Sequence, residues 1–491
     1  MTTSFPPINY PNKPVPPFTA EPPRNPFPGF FPDMWKNITG KPYITVSSKG
    51  LANGLSEYFN DGADFGPDSL QADGSLTQTV GIMEAVNYVY TQNGGKIKLS
   101  QGIYDLTNAP LIANVDSTRY SKIMIPYRSY LSPPSGEPGQ IPITIEGAGI
   151  GNLLGAYPAS GTIIRDNTLT ATETYQSVID ANGSQDAGFN GVEVSLFNLG
   201  VIPKQGSSGI SGIDFSYDLV AIFDNVFVQP QNINTPVSPS TGIKFPTEGC
   251  EFSYAGVLNI GGFYNGIISG EHMHINDLTM ESCVNGISTG DMTHDMNIVH
   301  ASVGACETAI YNTNVTATSI LWIGKIQVID RSSPYGGTAK YYISNNVNPA
   351  SPIYIGVWHE GSSPVFSSLN AGIHNGLGVS GLINIGKVYP QDFAGTTLSA
   401  NPPVSGTVYQ NTNPYDIEID LPVYATTSGT AGYVTVAKGS KDTPTAIGNQ
   451  YVSGDTSSTA TQIIRVRVPA GWYYSFTGSA VTFATATPFA E

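Results

Sequence analysis

Residues 60–106 read NDGADFGPDSLQADGSLTQTVGIMEAVNYVYTQNGGKIKLSQGIYDL. Ser75 and Gln78 have the Ser-x-x-Gln spacing of a capping box, which predicts a helix over 76–92. Leu76, Val80, Met83, Val86 and Tyr90 follow at helical spacing and form one apolar face. Asn93-Gly94-Gly95 ends it, because glycine adopts positive φ at no steric cost. KIKL is then a short strand, and SQGIYDL a turn into another. Elsewhere the chain is rich in strand and turn residues, with 54 Gly, 37 Pro and 27 Tyr, and only 12% of residues are charged. A lone amphipathic helix in such a chain needs a surface to cover. The open end of an elongated β-stack, with apolar interior and unpaired edges, is such a surface.

The same stretch resembles the N-terminal segment of pectate-lyase-like right-handed β-helix proteins. Asp61-Gly62-Ala63-Asp64, Thr77, Gly94-Gly95 and Gly102-Ile103-Tyr104 match that segment, with Ser100-Gln101 in place of its usual proline. ITIEGAG (143–149) followed by GTIIRD (161–166) looks like its next coil. The resemblance implies an all-β protein: a right-handed parallel β-helix with an N-terminal capping helix. The family holds polysaccharide lyases and hydrolases and many phage tailspikes, so it implies a fold more than an activity.

The middle of the chain supports a stack on its own terms. GISGIDF, LVAIFDNVFV, VLNIGGFYNGI, HINDLTMESCVNGI and MNIVHASVGACETAI are short β-type runs cut by Gly, Asn and Asp. YNGI (264–267) recurs as VNGI (284–287), and CVNGI from Cys283 recurs as CETAI from Cys306. Strand patterns recurring at 20 to 23 residues are the mark of stacked coils, each burying its neighbour's interior. The β-helix is expected over 41–400. Residues 1–40 form a Pro- and aromatic-rich arm suited to lying along the body or docking to a partner. Beyond the linker-like SANPPVSG, residues 401–491 alternate apolar and polar positions and read as an antiparallel β-sandwich. VPAGWYYSFTG there resembles the small β-rich C-terminal domains of tail fibre proteins.

A formal net charge of −16, with only 21 Lys+Arg, argues against nucleic acid or anionic lipid as partners. No run is long and apolar enough to span a membrane, and the N-terminus lacks a secretory h-region. A neutral or weakly charged polysaccharide is compatible with the surface. Cys250, Cys283 and Cys306 are too few for a disulfide framework and read as buried thiols. Sequons stand at Asn37, Asn182 and Asn314, near the chance number for a chain rich in Asn, Ser and Thr.

Four of the six histidines fall between His272 and His300, among several carboxylates. Applying the coil offsets places Glu251, Glu271 and His294 in one column, Phe252, His272 and Asp295 in the next, and Asp277 with His300 in a third. Stacked carboxylates push one pKa up, as a general acid requires. Catalysis is therefore expected of Glu251, Glu271, His294 and Asp295, or of Glu360 in YIGVWHEG (354–361), where Trp358 and His359 would bind substrate. Polar ladders and turn residues of β-helices are the plainer reading of the first cluster, and a core tryptophan that of the second. No cofactor is expected, and no compact metal motif such as His-x₃-His is present. Of the catalytic strings that the resemblance would bring for a polygalacturonase, Asp-Asp, Gly-His-Gly and Arg-Ile-Lys do not occur, and Asn-x-Asp occurs only as Asn114-Val115-Asp116, with none of the others to accompany it.

Three functions fit these features. The first is a virion-type tailspike or receptor-binding protein, at the virion surface or outside the cell, that contacts a cell-surface polysaccharide or glycoprotein glycan. In that reading the arm joins it to other virion subunits, and the terminal domain suits glycan or homo-oligomer contact. The second is a free polysaccharide lyase or glycoside hydrolase. The third is a structural or adhesive filament subunit.

Overall fold

The computed structural model describes residues 43–490 with interruptions, chiefly 49–62, 151–160, 168–174, 184–189, 247–251, 291–293, 330–340, 346–350, 362–372, 376–382, 390–403 and 453–461. The arm at 1–40, Glu251, Cys250, Asn37 and Asn314 lie outside the described residues. The chain between Ile44 and Tyr389 is a right-handed parallel β-helix. It alternates between a 13-stranded sheet and a 10-stranded sheet, adding one strand to each per coil. Over the central coils the first sheet receives Val220–Val228, Phe252–Gly261, Met273–Glu281, Met296–Gly304, Leu321–Ile329 and Ile353–Glu360. The second receives Thr241–Lys244, Asn265–Ile268, Asn285–Thr289, Thr308–Asn312 and Tyr341–Asn345 between them.

The repeats visible in sequence are the tightest coils. Ser253 pairs with Met273, Met273 with Met296, and Met296 with Leu321, whereas Leu321 pairs with Ile353 across a longer turn. The second sheet is aligned by one residue type. Ile123, Ile179, Ile213, Ile243, Ile267, Ile287, Ile310, Ile343 and Ile373 pair in order, rung on rung. All but Ile373 are buried. A β-branched side chain is stiff at χ1 and packs well on a pleated surface. Each fully buried isoleucine contributes about 1.5–3 kcal/mol.

Strands of the first sheet bend midway. In Met273–Glu281, Met273, Ile275, Leu278 and Met280 point inward, so Asn276 and Asp277 both face out. The same spacing holds for Met296, Ile298, Ala301 and Val303, and for Leu321, Ile323, Ile326 and Val328. At the bend, Gly324, Gly356 and Gly386 form a column. A Cβ on Gly356 would stand 2.6 Å from the Gly324 carbonyl oxygen, closer than any side chain tolerates.

The helix differs from the expected one at its start. It spans Ile82–Thr91, and Gly81, with φ 83°, stands before it. Leu76 is 61% exposed and takes no part in the apolar face. Ser75 and Gln78 do not cap it. The Thr79 hydroxyl instead accepts the Met83 N–H at 3.2 Å, and the Thr77 hydroxyl accepts that of Gly81. Glu84 accepts hydrogen bonds from both hydroxyls and so holds the caps in place. Ile82, Val86 and Val89 are buried, and the helix packs on Ile44–Val46 and Gly95–Leu99 at the N-terminal end of the stack. It caps an otherwise open edge.

The C-terminal part is two four-stranded antiparallel sheets. One holds Val408–Gln410, Gly432–Gly439, Thr445–Val452 and Tyr473–Ser479. The other is centred on Ile417–Ala425, whose alternate residues Ile417, Ile419, Leu421 and Val423 are buried.

Candidate functional site

The outward positions before the bend form a column shared by successive coils: Tyr254, His274, Asn297, Trp322, Tyr354 and Asn384. Tyr254 and His274 stack with ring centroids 5.8 Å apart, and Trp322 and Tyr354 at 5.6 Å. Phe252 stacks on Tyr254 from the strand start. Trp322 is 49% exposed, and Phe252, Val257 and Val299 are exposed on the same sheet. Asn276 joins the pattern, donating to the Tyr254 hydroxyl and contacting His274 Nε2 at 2.9 Å. The result is an outer face of aromatic rings interleaved with amide and hydroxyl groups. Between the His274 and Trp322 rungs stands only the short Asn297. Two rungs separate those residues by about 9–10 Å.

The structure brings Glu271 and His294 together. Glu271 is 1% exposed, and its Oε2 lies 3.2 Å from His294 Nδ1. The histidine side chain is 54% exposed. Its ring stacks on that of His272 at 4.3 Å. Asp295 is elsewhere occupied: its carboxylate accepts the Ile320 N–H at 2.9 Å and fastens the next turn. Asp277 and His300 are rung partners in contact at 2.8 Å, with Lys325 next in their column.

Trp358 and Glu360 point into the core. Trp358 is 0% exposed, stacks over Ile326 on the rung beneath, and its Nε1–H donates to the Glu360 carboxylate at 3.0 Å. Glu360 occupies the column of Val328 and is also buried. Neither reaches a polysaccharide outside the coil, so the expectation that Glu360 is catalytic and Trp358 a sugar platform is corrected. His359, between them, faces outward beside Gln327 and Tyr389.

A buried charge network was not picked out in the sequence. Arg119 contacts Asp180 and Asp214, each at 3.0 Å, and Lys244 contacts Asp214 at 2.8 Å. Asp180, Asp214 and Lys244 stand on adjacent rungs, each following an isoleucine of the aligned column. That recurrence of Ile-Asp, Ile-Asp, Ile-Lys was the available signal. Burial raises the Asp180 carboxyl well above the usual range, only partly offset by Arg119. Asp214 is equally buried, yet Lys244 and Arg119 outweigh the desolvation and hold its pKa low. Cys283 and Cys306 are buried free thiols at equivalent turn positions, between the pairs Glu281/Gly304 and Asn285/Thr308. A hydrogen bond with the Cys283 sulfur, and then burial, pushes the Cys306 thiol up.

No protein-family profile and no curated protein matches this chain. Solved structures similar to it include full-length tailspike protein 2 of an Escherichia coli O157:H7 bacteriophage, at 12% identity and a TM-score of 0.24, covering 84% of this chain and 66% of that one. The tailspike protein of an Acinetobacter phage is 11% identical with a TM-score of 0.25, covering 88% of this chain and 91% of that one. The enzymatically active domain of tailspike protein 4 of bacteriophage CBA120 is 10% identical with a TM-score of 0.18, covering 82% of this chain and 66% of that one. This chain thus spans just under two thirds of two of these proteins.

Proposed function

We propose that this protein is a receptor-binding protein of the virion tailspike kind that engages a surface polysaccharide along the outer face of its β-helix. The observation that carries the reading is the column from Tyr254 to Tyr354. A repeating polymer suits a repeating surface, and rings with amide and hydroxyl neighbours satisfy both the apolar faces and the hydroxyls of a sugar. The net charge of −16 fits a neutral or weakly charged glycan better than a polyanion, which it would repel. Trp322 lies half-exposed in this column. Its fluorescence should therefore report binding directly.

The test is a panel of capsular and cell-wall polysaccharides, titrated against wild type, Trp322→Ala and His274→Ala. At least one glycan should bind, and each substitution should weaken it about tenfold or more, the scale of a lost aromatic contact. Absence of binding across a broad panel, or unaltered binding by both variants, would refute the reading. Electron microscopy with a labelled antibody should find the protein on virus particles.

Depolymerase activity is a second reading, favoured by the Glu271–His294 pair, which joins a buried carboxylate to an exposed imidazole. Release of reducing ends or unsaturated uronate by wild type, lost in Glu271→Gln, would support it. Cleavage retained in that variant would move the chemistry elsewhere.

A further inference from the structure

We propose that Glu271, His272 and His294 form a zinc site. One ligand atom from each of the three lies within 4.8 Å of the others, a cluster found among the described residues. The contact between Glu271 Oε2 and His294 Nδ1 is 3.2 Å. Zinc bonds near 2.0–2.1 Å at a tetrahedral angle put two donors about 3.3 Å apart, so this edge already has the required length. The third donor must close by about 1.5 Å. His272 is exposed and stacked on His294 at 4.3 Å, so it is the His272 ring that must turn out of the stack to bring its nitrogen to the ion.

Chemistry narrows the ion to the imidazole-binding transition metals, of which the redox-inert Zn²⁺ is the one proposed. Two imidazoles and one carboxylate suit Zn²⁺, whereas Ca²⁺ and Mg²⁺ call for all-oxygen shells. Glu271 is buried, with its Oε2 turned to the exposed His294 imidazole. The donors also come from two coils. Glu271 and His272 precede the strand Met273–Glu281, and His294 precedes the strand Met296–Gly304. An ion held by all three clamps one turn to the next. Three protein donors leave a tetrahedral ion one open position. By the register, His272 stands beside Phe252, at the edge of the aromatic face.

The inference stands independently of glycan binding. Tag-free protein, stripped with a chelator and dialysed, would be titrated with Zn²⁺ by calorimetry and with Co²⁺ by visible absorption. One Zn²⁺ per chain should bind, and Co²⁺ should give the intense bands of a four-coordinate ion with nitrogen and oxygen donors. His272→Asn keeps a residue that tolerates the positive φ of 47° at this position and removes the imidazole. It should weaken Zn²⁺ binding about tenfold or more, the scale seen when a metal site loses a supporting group. His294→Gln should do the same, and Zn²⁺ should raise the melting temperature of wild type but of neither variant. Unchanged circular dichroism without metal would show that both variants fold. Absence of stoichiometric uptake, binding unaltered in both variants, or sulfur-to-cobalt charge-transfer bands, which would place the ion at cysteine, would each overturn the proposal.

Discussion

Asp180 and Asp214 are buried aspartates on neighbouring rungs of one column, both touching Arg119, yet their replacement by asparagine should have unequal effects. Donor geometry decides this. Asp214 accepts from Arg119 Nη1 at 3.0 Å, Lys244 Nζ at 2.8 Å, the Ser216 hydroxyl at 2.5 Å and the Ser216 N–H at 3.1 Å. Asp180 has only the Ser177 hydroxyl at 3.3 Å on one oxygen, while its other oxygen meets no aligned donor among the described residues. Arg119 Nη2 lies near that oxygen but aims its hydrogens at the carbonyls of Ala181 and Gly183. Asp214→Asn removes the charge that compensates the buried Arg119 and the partly buried Lys244, and should cost about 3–5 kcal/mol. That is between about a hundredfold and a few thousandfold in the unfolding equilibrium. Asp180→Asn mimics the neutral form that burial already favours and should cost about 1 kcal/mol or less.

The pH dependence has opposite signs for the two. The depressed pKa of Asp214 contributes stability above the unfolded value near 3.9, lost only as pH falls through the lower folded pKa. The Asp214→Asn deficit should thus be largest at neutral pH and shrink in acid. The raised pKa of Asp180 contributes stability below about 3.9 that is lost as pH rises through the folded pKa. Asp180→Asn should therefore improve relative to wild type as pH rises. Urea unfolding rates and midpoints from pH 3 to 8 would measure both, rates being the safer quantity for a large stack that refolds slowly. Equal destabilisation by the two variants, or a larger effect at Asp180, would refute the reasoning.

Thr79→Ala should destabilise the capping helix by about 1 kcal/mol, read from the thermal midpoint of the variant. Ile287→Ala removes a side chain from the middle of the isoleucine column and should cost about 2–5 kcal/mol, measured by chemical denaturation. Glu360→Gln keeps an oxygen for the Trp358 indole and should alter neither glycan binding nor any cleavage, so loss of either function in a folded variant would contradict its place in the core.

Much of the fold was legible because its signals are local. Asn93-Gly94-Gly95 does end the helix, and the recurrence of YNGI and VNGI is the pairing of Ile267 with Ile287. The recurrence of CVNGI and CETAI is that of Ile287 with Ile310. The start of the helix was misread because Ser75 and Thr79 both present a hydroxyl ahead of an apolar run, and only tertiary placement decides which one faces the first free N–H groups. The full isoleucine column was hidden by turns of unequal length, since a spacing that varies from coil to coil leaves no fixed period to detect. For the same reason the cluster of Glu271, His272 and His294 matches no metal motif: its donors are neighbours across a coil, and motif spacing describes neighbours along a helix or a loop.

Side-chain direction was the harder question, and one feature of the strands accounts for it. Alternation alone, counted from the buried Ile353 and Ile355, would put Val357 and His359 inside and Trp358 and Glu360 outside. The bend inserts a second outward residue at Gly356 and Val357, and the parity reverses beyond it. Trp358 and Glu360 are thereby turned into the core and His359 out of it. The same count explains why the aromatic face was overlooked. Tyr254, His274, Trp322 and Tyr354 all precede the bend by two residues, at positions that ordinary alternation assigns outward, but they are scattered over 101 positions of sequence and meet only in the stack. The repeat Met-x-Ile-x-x-Leu-x-Met, Met-x-Ile-x-x-Ala-x-Val, Leu-x-Ile-x-x-Ile-x-Val carries the bend in plain view. Laid beneath it, Ile-x-Ile-x-x-Trp-x-Glu puts a carboxylate where the three coils before it have Met280, Val303 and Val328, so the Trp358 indole, by donating to Glu360, gives that carboxylate a buried partner within its own strand.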